Sequence, residues 1–498
     1  MQAAMIHQQD TQPCYVITDA DRTRIAALAL AWKAYAGELD RPLSTIPGQA
    51  DDNVMDNRCS PVVDGGVHFL FGKEVDISVS MADGHEGKHK KSLASPRQDV
   101  LDRVWGRKEA RVPLLQDLAM NGAMAGRAFL RVKPVGDTFR LIVLDPSLVY
   151  VQTDPEDCET VRVYCIEYAV TEQQNGRPVT MMYREEITRN DPDHDGDDGH
   201  AGTDRDATWT VRHWSRVGER GAWTPLGTPI AWNYPFAPIF SNKNLPRPND
   251  FWGKPDITPD VIGMNNSLNL VQSSLNRILK LYASPILYAT GTGQQVIDLK
   301  PGRIHGLPLS ESKIVAVTLV SDVANGLKFA ETLRSDIDEL TNIPAVATGR
   351  FTAIPRGDLS GTAIELIFMP ALNKTETKRC LYGELMIDVS KALLVLAGLV
   401  QHVDDEEITL AWGNPLPHDD LPAAQTAVLL KQVDISNTTL QRNLGFDPEE
   451  EMALSQIEAQ QKLEAAQKLG VPPPPLTLTP MSQAEAQGQP QPAQGVAA

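Results

Sequence analysis

The sequence predicts an α+β protein, and three observations carry that expectation. Apolar residues recur at helical spacing along the first third and again after residue 256. Between about residues 127 and 232 the pattern changes to short alternating runs rich in Val, Tyr, Thr and Trp. Hydrophobic residues make up 42% of the 498, enough to form a large core and to exclude global disorder. At roughly 100–200 residues per domain, there is room for several domains or one elongated one.

The elements follow in order. Ile25, Leu28, Trp32 and Tyr35 mark one face of a helix over Asp21–Tyr35, with Asp19 or Asp21 as its cap and Gly37 as its stop. Val75–Ser80 alternates as a strand. Arg97–Gly126 is helical and ends in a run of small residues. Arg127–Val132 and Phe139–Leu144 form a hairpin about the Gly136-Asp137 turn. Val161–Tyr168, Val179–Ile187, Trp209–Trp214 and Ala222–Leu226 continue an antiparallel region. A proline-dense stretch then leads to a helix over Asp256–Tyr282.

That helix carries the most information. Val261, Met264, Leu268, Val271, Leu275, Ile278 and Tyr282 form a stripe at spacings of three and four. Its other side has no charged residue from Val261 to Asn276, only Asn, Gln, Ser and Gly among its polar or small positions. Two readings stand: burial among other polar elements, or a neutral hydrogen-bonding face turned to a polyanion. Pro285–Val317 reads as strand and turn, Lys328–Leu340 as a second helix, and Ile343–Gly361 as a Gly/Pro loop with Arg350 and Arg356. Thr362–Gly398 is a long helix interrupted by Pro370. Asp404–Trp412 reads as a strand, Ala423–Glu464 as helical pieces, and Gly470–Ala498 as a disordered Pro/Gln/Ala-rich tail.

The charge, 46 − 64 = −18, excludes a protein that grips nucleic acid over its whole surface. No apolar run approaches the roughly 20 residues of a membrane span, so no membrane association is expected. The N-terminal residues show no signal-peptide pattern. Five scattered cysteines without a CxxC pair predict reduced thiols. There is no phosphate-binding GxxxxGK[ST] loop, no HExxH and no GxSxG. Neither enzymatic activity nor a cofactor is expected. Asp191, Asp193 and Asp195 match the opening of a calcium loop, but Gly202 stands where the bidentate Glu belongs. They remain weak metal candidates within an Arg189–Asp206 loop, whose role the sequence leaves open.

Several short segments resemble one family when taken in order. They are Trp32-Lys-Ala-Tyr-Ala-Gly37, Asp52-Asn-Val, Pro61-Val-Val-Asp and Phe69-Leu-Phe-Gly-Lys73. Pro238-Ile, Asn244-Leu-Pro, Trp252-Gly-Lys-Pro-Asp256 and Leu281-Tyr-Ala-Ser-Pro-Ile-Leu287 follow. Ser360-Gly-Thr-Ala-Ile364, Pro370-Ala-Leu372, Ile435-Ser-Asn with Leu440, and Asp447-Pro-Glu-Glu-Glu451 complete the series. Their order and spacing resemble tailed-phage portal proteins of the Gp6-like family.

The resemblance implies a ring-forming portal fold with α-helical stem and crown and β-containing wing and clip. It places a wing at 1–250, a first stem helix at 251–283, a clip at 284–327 and a second stem helix at 328–342. A tunnel loop would occupy 343–361, a kinked wing-to-crown helix 362–403, a crown 404–464 and the tail 465–498. A homo-oligomer of about twelve subunits would sit at one capsid vertex in the virion, having assembled in the host cytoplasm. It would nucleate procapsid assembly and pass double-stranded viral DNA during packaging and ejection. The implied partners are the terminase large subunit, a head–tail adaptor, and the major capsid and scaffolding proteins.

In that frame, Arg350, Phe351 and Arg356 are candidate channel residues of the tunnel loop. Lys300 and Arg303 are candidate clip cations near the lumen, and Asn265, Asn269, Gln272 and Asn276 a candidate channel face. Arg350 and Arg356 either touch phosphates or pair with nearby carboxylates such as Asp358. The rival readings are another structural head–tail connector, and a metal-dependent hydrolase using the Asp191–Asp206 acids.

Overall fold

A reciprocal cap starts the first helix, α1 (Asp19–Tyr35). The Thr18 hydroxyl accepts the Asp21 N–H while the Asp21 carboxylate accepts the Thr18 N–H, so Thr18 is the cap and Asp21 its partner. The computed structural model describes residues 12–45, 51–80, 96–106, 108–174, 177–190, 207–218, 220–283, 287–290, 313–316, 323–348, 350, 361–403 and 407–415. All belong to one of the chain's two compact units.

After α1 come α2 (Cys59–Phe71) and strand β1 (Val75–Ser80). The helical stretch expected over 97–126 is two helices, α3 (Pro96–Trp105) and α4 (Lys108–Ala125). Gly106 breaks them apart at φ 80°, a conformation that favours glycine. The buried Arg111 guanidinium holds the break closed by donating to the carbonyls of Gly106 and Val75.

Strands β2 (Arg127–Val135) and β3 (Thr138–Leu144) form the expected hairpin, and β10 (Ile239–Lys243) pairs with the other edge of β2. A second sheet has β4 (Val149–Thr153), β5 (Val161–Gln174), β6 (Arg177–Asn190), β7 (Thr208–Val217) and β8 (Thr224–Pro225) in sequence order, with β9 (Ile230–Trp232) also on β7. β5 and β6 extend well beyond the expected bounds. Strand β2 links the two cores by its period of two. Ala128, Leu130 and Val132 enter the main helical core, and Phe129 enters the core of the second sheet.

Helix α5 (Pro259–Ala283) falls where the stripe predicts. The short pair β11 (Leu287–Thr290) and β12 (Lys313–Ala316) follows, then α6 (Val323–Thr341), which begins five residues before the expected start. Leu268, Ala330 and Ile337 form the seam between α5 and α6, flanked by Met264, Val271 and Leu333. Gly326 lies against Leu275, where a Cβ would come within 2.6 Å of it. Leu275 at the far end of α5 therefore meets the start of α6, and the two helices run antiparallel.

Helix α7 (Gly361–Leu396) contains Pro370 and buries Ala371, Thr375, Lys378, Tyr382, Leu385, Met386, Val389 and Leu393. Strand β13 (Glu407–Trp412), expected to open the crown, instead pairs antiparallel with β1, Val75 opposite Trp412. This strand completes a sheet begun in the N-terminal region. The remainder of the expected crown and the tail lie outside the described residues, as do most of the clip and of the tunnel loop.

Candidate functional site

The charge-poor face of α5 does not look outward. Asn265, Asn269 and Ser273 are fully buried against residues 52–58, which cross the helix as an extended strap. Asn265 accepts the N–H of Arg58 at 2.7 Å and donates to the carbonyl of Asp56 at 2.8 Å. Asn269 accepts the Asp56 N–H, and Ser273 accepts the Val54 N–H, both at 2.9 Å. Asn276 donates to the carbonyl of Asp52 at 2.8 Å.

The match is one of periods. Two residues of extended chain rise about 6.6 Å, and four residues of helix about 6 Å, so alternate strap residues meet successive turns of α5. The side chains replace a neighbouring strand and satisfy backbone groups that burial would leave unpaired. Asn265 and Asn269, expected on a channel face, are buried beneath the strap and bonded to its backbone. Gln272 and Asn276 are half-buried, and Gln272 lies 3.4 Å from the Asp56 carboxylate.

Ion pairs then fasten the strap to both helices. Asp52 takes Arg277 at 3.0 Å and Lys280 at 2.7 Å from α5. Asp56 takes Arg334 from α6 at 3.0 Å. Arg58 lies 3.4 Å from Asp338 of α6. Arg350, expected in the channel or on a carboxylate, pairs with the other oxygen of Asp338.

The chain reaches Arg350 by a tight return. Asn342 ends α6 at φ 58°, a left-handed conformation that Asn tolerates better than most residues. Ile343 is buried and faces Gly65 of α2, and a 3₁₀ turn over Ala345–Thr348 brings the chain back. Burial pushes the Asp338 carboxyl up, although Arg350 and Arg58 pull it down.

A second buried group joins the approach to α5 with α6 and α7. Asp256 has no exposed side-chain surface; Lys378 lies 2.5 Å and Lys374 2.9 Å from its two carboxylate oxygens. Lys374 also donates to the carbonyl of Thr341 at 3.0 Å, next to the turn at Asn342. Burial alone would raise the Asp256 carboxyl, but the two ammonium groups outweigh it and hold it well below the usual carboxylate range. Burial draws Lys378 down.

None of Asp256, Lys374 and Lys378 was a candidate in the sequence. The available signal was Lys378 within the stripe Ala371, Thr375, Lys378, Tyr382, Leu385, where an unpartnered lysine would not be buried.

Phe351, Arg356, Lys300, Arg303, Asp191, Asp193 and Asp195 lie outside the described residues. Among the described residues no cluster of His, Cys, Asp or Glu could hold a metal ion, and no helix is long and apolar enough to cross a membrane. Large apolar side chains stand exposed on all three helices near the site: Leu270 and Leu279 on α5, Leu327 and Phe329 on α6, Leu366 and Met369 on α7.

The architecture is a mixed α+β body with an antiparallel helix pair clamped by a strap and a long helix packed with it. The chain belongs to the family of phage portal proteins, SPP1 Gp6-like, which it matches over residues 17–465. It is therefore a portal protein of the phage capsid. No curated protein matches it.

Proposed function

We propose that this chain assembles into a closed ring, about twelve copies in the family's usual form, at one capsid vertex. Double-stranded DNA passes through its centre during packaging and ejection. The observation that carries this reading is the family match across residues 17–465, joined to the antiparallel α5–α6 pair within it. In that frame 251–283 and 328–342, which lie largely in α5 and α6, are the stem, residues 284–327 the clip, and 343–361 the tunnel loop. α7 links wing to crown. Residues 1–250 form the wing, and β13, at the start of the crown, pairs with its strand β1.

A closed ring needs two unlike faces that complement each other. Phe329 and Leu366, 54% and 60% exposed, are apolar groups that neighbouring copies would cover. The net −18 per copy repels DNA and keeps it moving. Contacts with DNA are few and independent of sequence, and Arg356 is the tunnel-loop cation proposed to make one. Terminase docks at the clip during packaging, and an adaptor replaces it afterwards. The ring also nucleates procapsid assembly with the capsid and scaffolding proteins.

The test is complementation. Heads assembled without this chain should contain no DNA, and supplying it in trans should restore filled heads. Filled heads in its absence would contradict the reading.

A further inference from the structure

Asp338 is shared by two arginines from distant parts of the chain. Arg58, at the end of the strap, approaches Oδ1; Arg350, after the return from α6, approaches Oδ2. The carboxylate side chain is only 11% exposed. A carboxylate so enclosed is costly to leave without a cation, but with two partners either one can leave while the other remains.

The two arginines are not equivalent. Arg58 is fixed, with its backbone N–H on Asn265 and its side chain 12% exposed. Arg350 is the outer of the two, at 29% exposed. Its backbone N–H is held by the Ala345 carbonyl at 3.0 Å, which anchors the main chain of the residue.

We propose that Arg350 is a releasable cation: its guanidinium exchanges Asp338 for a phosphate oxygen of DNA, and Arg58 stays behind to keep Asp338 paired. The exchange swaps one anion for another and transfers no proton. A planar guanidinium suits carboxylate and phosphate equally, and phosphate contact carries no sequence preference. Arg58 is then a positioning residue that acts through Asp338 and never touches DNA. The proposal rests on the channel reading above and adds the regulation of one of its contacts.

The test uses the full chain. Phenylglyoxal modification of Arg350, followed by mass spectrometry, reports how often the guanidinium is free. Relative to wild type, Asp338→Asn should speed modification and Arg58→Met slow it, each by about fivefold, the scale of one partly exposed ion pair. Arg58→Lys, which keeps the charge, should stay near the wild-type rate and guards against a folding defect in Arg58→Met.

Retention of a short DNA duplex, titrated with salt, reads the second half. Arg350→Ala should weaken retention and lower the salt slope by about one per contacting copy. In the Arg58→Met background, the same change should have little further effect. Modification rates indifferent to Arg58 and Asp338 would overturn the proposal, as would an Arg350→Ala protein that retains duplex like wild type. Ring formation and head filling, scored on the same proteins, report separately on the channel reading.

Discussion

Asp256 and Lys378 form an ion pair 2.5 Å long in which both side chains are almost wholly inside the protein. The pair joins the approach to α5 with α7, and a Cβ placed on Gly66 of α2 would come within 4 Å of both charged groups. Lys374 extends it to the last carbonyl of α6. The two helices of the proposed stem and the long helix α7 are thus tied together through one carboxylate.

Replacing that carboxylate should be severe. Asp256→Asn leaves two ammonium groups in a buried site and should cost about 3–5 kcal/mol in urea unfolding. The pH dependence has a definite sign. Because the folded carboxyl sits below its ordinary value, its contribution is complete above about pH 4 and is lost as pH falls below that. The wild-type stability curve should show this acid limb, and the Asn variant should lack it.

The strap should loosen when its bed is cut. Asn265→Ala removes the acceptor of the Arg58 N–H and the donor to the Asp56 carbonyl, with an expected loss of about 2–3 kcal/mol. Amide exchange at Val54, Asp56 and Arg58 should rise well above that of α2. Unchanged exchange at these three amides would contradict the ladder.

Gly122 of α4 makes room for Tyr382. A Cβ built there would fall 2.0 Å from the Tyr382 hydroxyl oxygen. Gly122→Ala should therefore destabilise by about 1–3 kcal/mol through overpacking. Tyr382→Phe in the same chain should recover most of the loss, a coupling that a double-mutant cycle in urea reads directly.

The exposed apolar side chains should matter to assembly and not to folding. Phe329→Asp places a charge where a neighbouring copy would sit, so rings should fail while the thermal midpoint stays within a few degrees. Rings formed normally by this variant would remove Phe329 from the interface.

Much of the fold was legible because local patterns decided it. The α5 stripe, the β2–β3 turn and the β1 alternation each depend on neighbours within a few residues. The neutral face of α5 was equally visible, and burial among polar elements was one of its two readings. Its partner was not, because the strap lies more than 200 residues away and its own sequence has no marked periodicity. Composition shows that a face is polar and uncharged; only tertiary structure shows that it meets a backbone rather than a lumen. β13 was legible as a strand, but its pairing with β1 across more than 300 residues was not. Arg350 was legible as a cation for a phosphate or a carboxylate, but Asp338 on α6 as its partner was not, because that pairing depends on how the chain returns after Asn342.

The central claim is the ring, and native mass of the purified chain with negative-stain images of the same sample tests it most directly. The account predicts a closed assembly of about twelve copies with a central hole. A protein that stays monomeric at high concentration and in the presence of its scaffold would contradict it.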